Sequence, residues 1–137
     1  MPDLWPDDFG KASDVPPIAI LKEQADLLAK KTKGEILGEI TTVTAGANLS
    51  HHFMLVVPRM ENYRYHLLTV THSVGLYPAQ IFWAVTGITH STGTEGHFIQ
   101  TLKAVLTADE TKRVVASLLQ QAESSSRPPP GAQMGVG

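Results

Sequence analysis

Between Ser50 and Ile88 the chain carries three apolar runs, HHFMLVV, YRYHLLTVTH and AQIFWAVTGI, broken at Arg59-Met60-Glu61-Asn62 and again at Ser73-Val74-Gly75. Runs of β-branched and aromatic residues closed by turn residues form consecutive strands, so a sheet is the centre of this chain. Strands are expected over about 35–45, 51–57, 63–72 and 78–87. Pro58 closes the second, because it cannot donate to a ladder. Gly46-Ala47-Asn48 turns the chain between the first two, and Gly38 marks a possible bulge in the first. Connections this short join antiparallel neighbours, since a parallel return needs a crossover of a dozen residues or more. The expected sheet is a four-stranded antiparallel meander.

Helical periods flank it. After Pro16-Pro17, which suit a first helical turn, Ile18, Leu21, Ala25, Leu28 and Ala29 recur at spacings of three and four. Acids come early, lysines at 30, 31 and 33 come late, and Gly34 follows, as a helix dipole and a left-handed C-terminus prefer. Phe98, Ile99, Leu102, Val105 and Leu106 repeat the helical spacing after His90-Ser91-Thr92-Gly93. Thr107-Ala108-Asp109-Glu110 then has the form of a capping box for a last helix through about 121, with Val114, Val115, Leu118 and Leu119 inward. The fold class expected is α+β: a helix, a four-stranded antiparallel β-meander, then two C-terminal helices packed mainly on one sheet face.

The 137 residues are enough for one domain that buries its own core. The expected division is an extended N-terminal arm over 1–15, a single domain over 16–122 and a disordered Ser/Pro/Gly-rich tail over 123–137. Trp5 and Phe9 are expected to hold the arm against the domain. The alternative is a peptide offered to a partner. Pro128-Pro129-Pro130 beside Arg127 has the form of a polyproline ligand, though a solvated tail explains it more simply.

Eleven basic and 13 acidic residues give a formal charge of -2, scattered along the chain. Binding that rests on neutralising many phosphates is not expected, so no nucleic-acid partner is expected. With no cysteine, disulfides, thiolate catalysis and Cys-based metal centres are ruled out. The first residues lack the basic and apolar regions of a secretory signal, and no apolar run reaches about 18 residues, the length that spans a bilayer. A cytoplasmic protein without a membrane partner is expected.

Chemistry then rests on six histidines, at 51, 52, 66, 72, 90 and 97. His51 and His52 point to opposite faces of their strand, and His66 and His72 stand about 20 Å apart along one face. If the hairpin sets Pro58 against Tyr63, His51 faces Val70 and its diagonal neighbour is His72, about 7 Å away between Cβ atoms. His51 and His72 are therefore the candidate metal ligands, with His90 or His97 as a third. Ser50-His51 and His72-Ser73 are strand neighbours that face opposite ways. No G-x-S-x-G elbow and no inward pair of acids appears, and Gly93-Thr94-Glu95-Gly96 lacks the lysine of a phosphate loop. No catalytic residue and no cofactor is assigned.

Neither sheet face reads as polar. In the assumed register Phe53, Leu55, Val57, Leu68 and Val70 share one face, while Met54, Val56, Tyr63, Tyr65 and Leu67, continued by Trp83, share the other. A sheet with one solvated face alternates more cleanly. The expected function is a small non-enzymatic module that self-associates, as a dimer for instance, or holds a protein partner. Met54, Val56, Tyr63, Tyr65, Leu67 and Trp83 would form its binding face. The alternative is a metal- or small-ligand-binding protein, possibly of hydrolase type, using the histidines at the end of the sheet.

Overall fold

The structure, a computed structural model, describes residues 1–10 and 14–126. Helix α1 covers Pro17–Lys31 and begins at Pro16, whose carbonyl accepts from Ala19 and Ile20. It ends where Gly34, at φ 81°, donates to Ala29 O at 2.8 Å, a left-handed turn that glycine adopts at no steric cost. Ile20, Leu21 and Ala25 form its buried stripe.

Five strands follow in sequence order: β1 (Leu37–Ala45), β2 (Asn48–Val57), β3 (Tyr63–Ser73), β4 (Ala79–Trp83) and β5 (Ile88–Thr92). Every neighbouring pair is antiparallel and the order across the sheet is β1-β2-β3-β4-β5. The meander thus has one strand more than the four expected. Ala84-Val85-Thr86-Gly87 reads as strand by residue type, yet it is a turn in which Thr86 and Gly87 both donate to Trp83 O. Gly87 takes φ 76° there. The strand after it, ITHST, has a single large apolar residue and no alternation to betray it.

Two further helices close the chain, α2 (Glu95–Thr107) and α3 (Asp109–Ser126). Thr94 Oγ1 accepts from His97 N at 3.1 Å and so caps α2. The capping box expected at Thr107–Glu110 does not form, because the Thr107 hydroxyl donates back to Lys103 O at 2.7 Å. The α2–α3 junction is held instead by the buried Thr111 hydroxyl, which donates to Val105 O at 2.7 Å, and by Lys112 N, which donates to Ala108 O.

All three helices cover the same sheet face. Ile20, Leu21 and Ala25 of α1, Phe98, Leu102 and Val105 of α2, and Leu118 and Ala122 of α3 share one core with Phe53, Leu55, Val57, Leu68, Val70, Ile81 and Trp83. Burying a large apolar side chain contributes about 1.5–3 kcal/mol. Gly38 does not bulge, since β1 and β2 pair without interruption. A Cβ built on it would lie 2.5 Å from Ala25 Cβ and 3.0 Å from Phe53 Cζ, so its bare backbone is what lets α1 lie close on β1.

The arm is not held by its aromatics. Trp5 and Phe9 are 74% and 73% exposed and stack on each other at 5.9 Å, while Asp3 and Asp8 bond the arm's own backbone. The attachment lies at Val15, whose N–H donates to the Glu95 carboxylate and whose carbonyl accepts from the Tyr77 hydroxyl at 2.7 Å. Burial first, then the Glu95 and Asp14 carboxylates, pushes the Tyr77 pKa up to about 12, which keeps that hydroxyl a donor. Helix α3 extends through Ser126, so the expected tail begins later than 123. The tail from 127 on, with its proline run, and arm residues 11–13 lie outside the described residues.

Candidate functional site

The geometry of the sheet turns on one extra residue. Phe53 faces Leu68 across β2 and β3, but Met54 faces His66, so Leu67 is an inserted residue and the register shifts there. A bulge of this kind sends two successive side chains to one side. Leu67 and Leu68 are accordingly both buried, at 2% and 0% exposure. Beyond Leu67 the alternation of β3 is inverted relative to an unbroken strand.

That inversion divides the residues expected to form a binding face. Met54 and Val56 lie on the face opposite the helices. Tyr65 and Tyr63 oppose Leu55 and Val57 and therefore fall on the helix side, Tyr65 against the core and Tyr63 at its 45% exposed rim. Leu67 and Trp83 are core residues. His66 moves the other way, to the bare face beside His52, and no longer shares a face with His72.

The bare face is consequently more polar than a continuous register implies. Arg64 donates Nε and Nη2 to the two oxygens of Glu39, both at 3.0 Å. The guanidinium holds the Glu39 carboxyl below its ordinary value. Ser50 and Thr71 hydroxyls meet at 3.0 Å. Thr69 Oγ1 stands 2.8 Å from His52 Nδ1 and 2.6 Å from His66 Nε2, and since a hydroxyl has one proton, one imidazole must donate to it. Burial, then the neighbouring His52, holds the His66 pKa below the ordinary histidine value. Apolar surface remains between these groups: Val43 and Phe82 are 49% and 38% exposed.

On the helix side the expected meeting of His51 and His72 occurs. Their Nε2 atoms stand 2.8 Å apart, both rings are buried, and His51 faces Val70 as anticipated. The outer bonds fix the tautomers. Ser73 O, 2.6 Å from His72 Nδ1, can only accept, so in a neutral ring Nδ1 carries the proton and His72 Nε2 accepts from His51 Nε2–H. His51 Nδ1 then accepts from the Thr42 hydroxyl at 2.8 Å. The result is a one-way chain of hydrogen bonds from Thr42 through both rings to Ser73. Burial, with His72 as the next cause, pushes the His51 pKa down and favours that neutral state.

Two nitrogens at this separation share a hydrogen, whereas two ligands of a tetrahedral zinc stand about 3.3 Å apart, given bonds of about 2.0–2.1 Å. His90 and His97 do not join the pair. Among the described residues no group of three or more His, Asp or Glu is placed to hold a metal ion, and no helix is long and apolar enough to cross a membrane.

Sequence reasoning missed the His52–Thr69–His66 cluster because the bulge creates it. The signal available was Leu67-Leu68, two adjacent large apolar residues in a strand whose neighbours alternate. Comparison of the chain with family models, with curated proteins and with solved structures finds no match.

Proposed function

We propose that this protein is a non-enzymatic, self-associating module, and that a second copy is held along the free edge of β1, next to the bare sheet face. The observation that carries the reading is the state of that edge. β1 is the outermost strand and is nine residues long, with an unbroken register to β2. Its outer half, Thr41–Ala45, is exposed.

Soluble proteins usually blunt such an edge with charges, proline, a bulge or a covering segment. β1 has one charge, Glu39, which Arg64 engages, and no proline. Ile40, Thr41, Thr42, Val43 and Thr44 are all β-branched, the residue type that fits a strand best. The opposite edge, β5, is five residues long and lies beside α2.

Self-pairing is favoured by charge. Antiparallel pairing about Thr41 sets Glu39 of one copy against Val43 of the other, and pairing about Thr42 sets it against Ala45. In neither register do like charges face each other. An edge of this length buries less than the roughly 800 Å² per partner of a standard interface, so the association should be weak and concentration-dependent.

Hydrogen exchange tests the placement. Raising the protein concentration should slow exchange of the outward amides of β1 and leave those of β5 unchanged. Equal protection at all concentrations, or protection elsewhere, would remove the edge from the account. Slowing that appears only when another protein is added would assign the edge to a different partner.

A further inference from the structure

A cleft of about 310 Å³ lies between the β4–β5 hairpin and α2, lined by Trp83, His90, His97, Gln100, Thr101, Ala104 and Val105. Two of its wall residues carry buried polar atoms with no hydrogen-bond partner among the described residues, Trp83 Nε1 and His90 Nε2. They are the only such side-chain atoms there. Trp83 is 92% buried, and the two rings stand 6.4 Å apart. Neither atom is satisfied by the described residues and solvent barely reaches either, so an occupant that pairs with both would remove a cost the fold otherwise carries.

The chemistry of the wall limits what that occupant can be. An indole N–H only donates. His97 Nδ1 accepts from Gly93 N, at a long 3.4 Å, so in the neutral ring its proton sits on Nε2, a second donor. Gln100 and Thr101 offer an amide and a hydroxyl. No carboxylate lines the cleft, so nothing there repels an anion. No lysine or arginine lines it either, which argues against a multiply charged phosphate. Ala104, Val105 and the Trp83 ring supply apolar wall. The volume is at the lower end of small-molecule sites and far above the roughly 30 Å³ of one water.

We infer that this cleft binds a small, singly charged carboxylic acid with a short apolar tail, its carboxylate accepting from Trp83 Nε1–H and from His90 in the tautomer with the proton on Nε2. This site is separate from the β1 edge and stands or falls independently of it.

The test is titration of ¹⁵N-labelled protein with sodium acetate, butyrate and benzoate at constant ionic strength, with sodium chloride as control. The Trp83 indole N–H should shift saturably with the carboxylates and not with chloride. The Trp5 indole, on the exposed arm, is the internal control and should stay still. Read at the Thr101 amide, Trp83→Phe and His90→Gln should each weaken binding about tenfold, the worth of one hydrogen bond to a charged group. Thr101→Val, followed at the Trp83 indole, gives a second route should either variant fail to fold. A linear response, a shift that chloride reproduces, or undiminished binding in a folded Trp83→Phe variant would overturn the inference and leave ordered water as the occupant.

Discussion

His51 and His72 hold each other by a single shared proton, Nε2 to Nε2 at 2.8 Å, between a threonine that donates at one end and a carbonyl that accepts at the other. A proton added to His51 would fill Nδ1 and oblige the Thr42 hydroxyl to accept where it now donates, at a ring whose burial disfavours the charge.

Acidification should therefore destabilise the fold. The His51 pKa, and that of His66 on the other face, lies below the ordinary histidine value, chiefly through burial. The unfolded chain then takes up protons first, as pH falls through about 6.5, and stability drops until the folded-state values are passed. The urea midpoint should be lower at pH 5 than at pH 7.5, and His51→Gln should flatten that dependence. Glu39, held low by Arg64, acts only in the carboxylate range and leaves this window unaffected.

Thr42 and Thr41 are sequence neighbours with opposite roles. Thr42→Val removes the donor to His51 Nδ1 and should cost about 1–2 kcal/mol in denaturant unfolding, because a buried acceptor loses its partner. Thr41→Val, on the exposed side, should stay within about 0.5 kcal/mol of the native protein. Equal costs would show that the Thr42–His51 hydrogen bond contributes nothing measurable to the fold.

Gly38 is a contact between layers. Gly38→Ala forces a methyl into Ala25 and Phe53 and should cost about 1–3 kcal/mol, as overpacking does. Adding Ala25→Gly should recover only part of it, since Ala25 Cα is itself 2.8 Å from the new methyl.

Thr94, which caps α2, and Thr107, its last residue, should separate cleanly. Thr94→Ala removes the cap that receives His97 N and should cost about 1 kcal/mol. Thr107→Ala loses only a bond back to Lys103 O in its own helix, so its thermal midpoint should hardly move.

Much of this architecture was legible in the chain. Helix α1, the antiparallel order and the His51–His72 contact follow from periodicity and short turns. Two displacements from the expected pairing cancel to leave that contact in place. Val57, not Pro58, faces Tyr63, and the extra Leu67 restores the assumed register before His51 is reached. Between those points every side chain of β3 sits on the face opposite to the one expected, which is why Met54 and Val56 part from Tyr63, Tyr65 and Leu67. The pair Leu67-Leu68 hints at a bulge, but with apolar residues on both faces of β2 and β3 a period-two pattern does not say where the register shifts. β5 escaped for the converse reason, since its Thr, His and Ser carry little strand signal and it pairs only because the Gly87 turn returns it to β4. The cleft at Trp83 and His90 was beyond reach, as it depends on where α2 settles over the last hairpin.

The pairing proposed for the open β1 edge makes mass depend on concentration. Sedimentation equilibrium over a wide concentration range tests it most directly, comparing the native protein with a Thr41→Asp/Val43→Asp variant. In pairing about either Thr41 or Thr42 the new acids face each other or Glu39, so like charges meet. The native mass should rise from one chain toward two as concentration increases, and the folded variant should remain one chain throughout. A native protein that stays monomeric at the highest concentration, or a variant that associates as well as the native one, would contradict it.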